Sequence, residues 1–70
     1  MNLIVNGKST KIKSNGQDLS LETMLKQLDF HPQLVVVEIN GSIVNTQNLR
    51  NHLIQDGDVI EIVTIVGGGS

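Results

Sequence analysis

Three consecutive glycines, Gly67-Gly68-Gly69, stand near the end of this 70-residue chain and are the residues that folding alone explains least. Glycine adds nothing to a core and is costly to order, so a run of three calls for a reason outside the fold. One reason is mechanical. Three extended glycines reach roughly 10 Å and can thread a channel too narrow for any Cβ. A terminal carboxylate on such a tether could enter another protein's active site and attack the α-phosphate of ATP, giving an acyl-adenylate. A sulfur nucleophile would then yield a thiocarboxylate, a sulfur donor that needs no catalytic side chain from its carrier. Gly67 to Ser70 also has the composition of a flexible linker. The upstream sequence has to decide between the two.

The remaining polar residues form no catalytic pattern. His31 and His52 lie in different segments without a cysteine or carboxylate at ligand spacing, which argues against a metal site. His31 is expected to serve a helix C-terminus, where a cation is mildly favourable. Ser9, Ser14, Ser20 and Ser42 sit in no nucleophile motif, and Asp56 and Asp58 flank a turn glycine. No helix follows the glycine run, so it is not a phosphate-binding loop. The chain is read as a substrate for other enzymes, with no catalytic residue and no bound cofactor of its own.

Composition sets the frame for that tail. The chain is long enough for one domain and near the lower limit for folding without staples, yet it has no cysteine. Eight Val, eight Ile and eight Leu, with Met24 and Phe30, supply nearly all the apolar content, and the β-branched share favours sheet. A net charge of −2 offers no electrostatic basis for binding nucleic acid or anionic lipid. The N-terminus lacks the pattern of a signal peptide, and no apolar run approaches the ~20 residues of a membrane span. A cytoplasmic location is expected, or the plastid stroma if the protein is organellar.

The elements that must position the tail can be read in order. Leu3-Ile4-Val5 opens a strand, Asn6-Gly7 is a hairpin turn, and Ser9 to Lys13 is the return strand with Ile12 inward and Lys11 and Lys13 outward. Ser20 is a helix N-cap, with Glu22 in the first turn. Leu21, Met24, Leu25 and Leu28 make one apolar stripe, and His31-Pro32 is expected to stop the helix. Leu34 to Ile39 is a strand, Asn40-Gly41 its turn, and Ile43-Val44 a short edge strand. Thr46 to Ile54 reads as loop with one helical turn at most. Asp56-Gly57-Asp58 turns the chain into a last strand from Val59 to Val66, apolar on both faces except at Glu61 and Thr64. Such a strand is expected at the centre of a sheet, covered at least in part on each side.

The order predicts an α+β fold, a ubiquitin-like β-grasp in which a mixed sheet of four to five strands packs on one helix, with a right-handed crossover between parallel strands. Residues 1–66 form the domain and residues 67–70 a flexible tail. A docking surface is expected near the tail on the exposed sheet face, with Ile60 and Ile62 as candidates.

Two stretches carry a family resemblance. Val35-Val36-Val37-Glu38-Ile39-Asn40-Gly41-Ser42-Ile43-Val44, and Asp56-Gly57-Asp58-Val59-Ile60-Glu61-Ile62-Val63 followed by Val66-Gly67-Gly68, resemble the ThiS family, the sulfur carriers of thiamine thiazole synthesis. The similarity runs along essentially the whole chain. It implies an adenylating enzyme of the ubiquitin-activating type that spends ATP on the tail, sulfur from a cysteine desulfurase route, and a thiazole synthase as acceptor. By position Gly68 and Gly69 take the tail role, with Gly67 preceding them. One residue departs from the pattern: the family usually ends in glycine, and here Ser70 follows Gly69. The competing readings are the small subunit of molybdopterin synthase, which shares fold and chemistry, and a ubiquitin-like modifier or binding module. The shortage of aromatic residues and the lack of a proline-rich approach to the tail speak against the first.

Overall fold

In the computed structural model, which describes residues 1–14 and 16–65, two Asn-Gly pairs set the hairpins. Asn6 and Gly7 adopt φ of 52° and 81°, and Asn40 and Gly41 adopt 51° and 90°. Two successive residues at positive φ match the twist of a two-residue hairpin, and Asn and Gly reach that region at least cost. The first pair joins β1 (Asn2–Val5) to β2 (Lys8–Lys11), and the second joins β4 (Val35–Ile39) to β5 (Ser42–Val44). Ile12 lies beyond β2 but remains buried, and its backbone N–H donates to the Met1 carbonyl at 2.9 Å.

Two short strands, β3 (Leu19–Ser20) and β6 (Leu53–Ile54), pair with each other apart from the main sheet. The last strand, β7 (Val59–Thr64), is central in the order β2-β1-β7-β4-β5, parallel to β1 and antiparallel to β4. This is the β-grasp expected from the sequence.

One helix, α1 (Leu21–Gln27), covers one face of the sheet. Its first three N–H groups are all satisfied. Leu21 donates to the His52 carbonyl at 2.8 Å, Glu22 to the Leu49 carbonyl at 3.0 Å, and Thr23 to Ser20 Oγ at 3.1 Å. Ser20 is thus the N-cap its position predicts, and the loop before β6 supplies the other two acceptors. Leu21, Met24 and Leu25 are fully buried, with Leu28 packed at the margin.

Proline does not end the helix. Asp29 does, at φ 64°, with its N–H bonded to the Lys26 carbonyl and that of Phe30 to the Leu25 carbonyl. This pair of bonds closes a helix with a left-handed residue after its C-cap. Pro32 instead starts a 3-10 turn (Pro32–Leu34), and His31 caps that turn through Nδ1, which accepts from the Gln33 N–H at 3.3 Å. The role expected for His31 at the C-terminus of α1 is therefore corrected.

Leu3, Val5, Val35, Val37, Ile39, Ile60 and Ile62 meet the helix from the sheet, while Leu19, Leu49 and Ile54 close the sides. Each fully buried aliphatic side chain contributes about 1.5–3 kcal/mol relative to exposure. Among the described residues no polar side chain is buried.

Candidate functional site

The site begins where β7 gives way to the tail. Val36 pairs with Val63 and Val35 with Thr64, and the Ile65 N–H donates to the Leu34 carbonyl at 2.6 Å. The central strand is thereby tied to β4 until one residue before Val66. Gly67, Gly68 and Gly69, together with the domain boundary at 66/67, lie outside the described residues.

On its other side β7 outruns β1. The parallel ladder ends with the Asn6 N–H donating to the Ile60 carbonyl at 2.8 Å. The Asn6 side chain then takes over. Its Oδ1 accepts from the Ile62 N–H at 2.7 Å and its Nδ2 donates to the Ile62 carbonyl at 3.2 Å, so one amide stands in for the next residue of a strand. Asn40 does similar work at the start of β7. Its Oδ1 accepts from the Val59 N–H at 3.0 Å and its Nδ2 donates to Asp58 Oδ1 at 3.1 Å. Both asparagines were readable as turn residues. Their grip on the strand that leads to the tail was not, because nothing local encodes a partner more than fifty residues away in the case of Asn6.

Ile60 and Ile62, expected on the exposed sheet face, do not lie there. They are 0% and 5% exposed, opposite Ile39 and Val37, and point to the helix side. Strand alternation therefore turns Val59, Glu61 and Val63 to the other face. No element among the described residues covers that face. Val63 is 63% exposed, and Ile4, Val36, Val59 and Ile43 are exposed around it. The expectation that β7 is covered at least in part on both sides holds for one side only, because α1 has no counterpart among the described residues. This apolar patch is continuous with the strand that carries the tail, one residue out of step along β7 from Ile60 and Ile62.

Away from this patch Leu34 and Leu53 are also exposed. Hollows beside the start of α1 are lined by Glu22, Pro32, Gln33 and Arg50, among others. The Glu22 carboxylate lies 3.8 Å from Arg50 Nε and 4.0 Å from Lys26 Nζ. These exposed pairs contribute a few tenths of a kcal/mol at most. No group of three His, Cys, Asp or Glu that could hold a metal occurs among the described residues, and no helix there is long and apolar enough to cross a membrane.

Comparison with known proteins places this arrangement. The ThiS family model matches residues 3–69, almost the whole chain and the glycines with it. The chain belongs to the ThiS family. It is 34% identical over 67 residues to the sulfur carrier protein ThiS of Bacillus subtilis, covering 96% of this chain and 98% of that one. A crystal structure of the thiamine biosynthesis protein ThiS from Geobacter metallireducens superposes with a TM-score of 0.81 at 31% identity, over 99% of this chain and all of the other. The chain also matches, at 33% identity over its full length, a segment making up 21% of a thiazole synthase from Paramagnetospirillum magneticum. The family consists of small sulfur carriers that are not themselves catalysts.

Proposed function

We propose that this member of the ThiS family carries sulfur as a C-terminal thiocarboxylate and donates it for thiazole formation in thiamine biosynthesis. The observation that carries the reading is the extent of the family match, which runs through Gly67 and Gly68 and ends at Gly69. On this reading the reactive carboxylate is that of Gly69.

The chemistry needs only the tail. A Gly69 carboxylate oxygen attacks the α-phosphate of ATP, pyrophosphate leaves, and the acyl-adenylate forms in the active site of an adenylating enzyme of the ubiquitin-activating type. A persulfide delivered by a cysteine desulfurase route then attacks the carbonyl carbon and AMP leaves, and a thiol reductant cleaves the S–S bond of the resulting acyl disulfide to release the thiocarboxylate. Thiazole synthase takes the sulfur. The match to part of a thiazole synthase supports that acceptor over the molybdopterin one, because there a related segment shares a chain with such an enzyme. ATP is spent by the activating partner and is not held by this chain. The reaction takes place in the cytoplasm, or in the stroma for a plastid protein.

Intact mass spectrometry tests this. A chain ending at Gly69, incubated with an adenylating enzyme, ATP and a sulfur source, is expected to gain the mass of one oxygen-to-sulfur exchange at its terminus. No such species, with the enzyme active on its own carrier, would rule the reading out. An isopeptide bond to a lysine on a target would point to a modifier instead.

A further inference from the structure

The uncovered sheet face contains a local contradiction. Glu38 on β4 and Glu61 on β7 are direct cross-strand partners. By strand alternation both point to the face opposite α1, between Val36 and Val63 on one side and Ile4 and Val59 on the other. Like charges placed directly opposite destabilise a sheet. No ion pair relieves them, since the salt bridges among the described residues involve only Glu22, Lys26 and Arg50. Lys11 is the one basic residue that alternation assigns to the same face of these strands, and it lies on β2 opposite Asn2, two strands away from Glu61. Ile43, the direct partner of Glu38 on β5, extends the apolar rim to the sheet edge. A fold that tolerates unrelieved repulsion in the middle of an otherwise apolar patch has a use for it outside the fold.

We propose that Glu38 and Glu61 select what docks on this face: a partner protein whose apolar surface places an arginine or lysine between the two carboxylates. A cation there turns the repulsion into two charge-assisted contacts, and a planar guanidinium can serve both acids at once. The same pair repels a second copy of the chain, which would bring two more carboxylates to the centre of the contact. Apolar side chains supply the area, and the acid pair discriminates. Because the face is continuous with the strand that leads to the tail, its partner is the adenylating enzyme that activates the tail. That identity rests on the sulfur-carrier reading.

Three substituted chains and one truncated chain test it against the adenylating enzyme, with binding measured by titration calorimetry at low and high salt. Glu38→Lys and Glu61→Lys each replace a repulsive cross-strand pair by an attractive one. Each is expected to raise the thermal midpoint of the isolated chain and to weaken binding by about tenfold or more. The double change Glu38→Gln with Glu61→Gln is expected to weaken binding, to lessen its salt dependence and to let the chain self-associate in sedimentation. A chain ending at Ile65 should bind through the face and respond to the same changes. Charge-reversed chains that bind within twofold of the parent, with normal thiocarboxylate formation, overturn the inference and leave the carrier reading intact. Salt-dependent docking lost on charge reversal, with no thiocarboxylate from the parent chain, supports the face and overturns the carrier reading.

Discussion

A methyl group on Gly68 or Gly69 replaces no core side chain, because glycine supplies none to the fold. In the proposed chemistry it would meet the wall of a glycine-only channel. Gly68→Ala and Gly69→Ala are therefore expected to leave the unfolding midpoint unchanged and to abolish thiocarboxylate formation in the mass assay. Unfolding by either change would make the tail structural. Asn6 gives the opposite pattern. Asn6→Ala removes both side-chain bonds to Ile62 and puts alanine at φ 52°. A loss of about 2 kcal/mol is expected by urea denaturation. At this scale the sequence disclosed residue types better than partners. The asparagines, the N-cap serine and the glycine run could be picked out by chemistry, but Ile60 and Ile62 were assigned to the wrong face. A strand that is apolar at both sets of alternating positions carries no local mark of which set is buried.

Helix α1 shows how an element can be right in place and wrong in cause. Its apolar stripe and its start follow from period and cap chemistry. Its end looked like the work of Pro32, yet the chain has already turned at Asp29. An aspartate at that position is doubly unfavourable. It holds a left-handed φ that glycine adopts freely, and its charge sits at the negative end of the helix dipole. Asp29→Gly is expected to stabilise the domain by roughly 0.5–1 kcal/mol, seen as a higher midpoint in urea. Asp29→Val should lower it, because a β-branched residue tolerates positive φ least. An unchanged midpoint in both would mean that the Lys26 and Leu25 carbonyls, and not the residue in the turn, decide where the helix stops.

The whole molecule depends on a segment the sequence hardly marks. Thr46 to Ile54 has mixed polarity, and its reading as loop is correct for most of its length: a 3-10 turn (Thr46–Asn48) followed by the two residues of β6. It nevertheless closes the core. Leu49 is 2% exposed, and its carbonyl and that of His52 hold the first two N–H groups of α1. Backbone acceptors supplied from thirty residues away leave no side-chain signature, which is why this clasp was invisible while the β-grasp topology was not. Leu49→Ala would keep those carbonyls in the chain but remove the side chain that anchors them. The expected cost is about 2–5 kcal/mol, a large share of the stability of so small a domain. Thermal unfolding followed by circular dichroism should show a steep fall in midpoint. Helical signal should be lost together with the sheet, because α1 is too short to survive without its cover. The tail should still be converted to thiocarboxylate at temperatures where the variant remains folded, since Leu49 lies on the helix side and the proposed docking face on the other. Loss of conversion in a folded Leu49→Ala chain would mean that the partner reads both sides of the sheet.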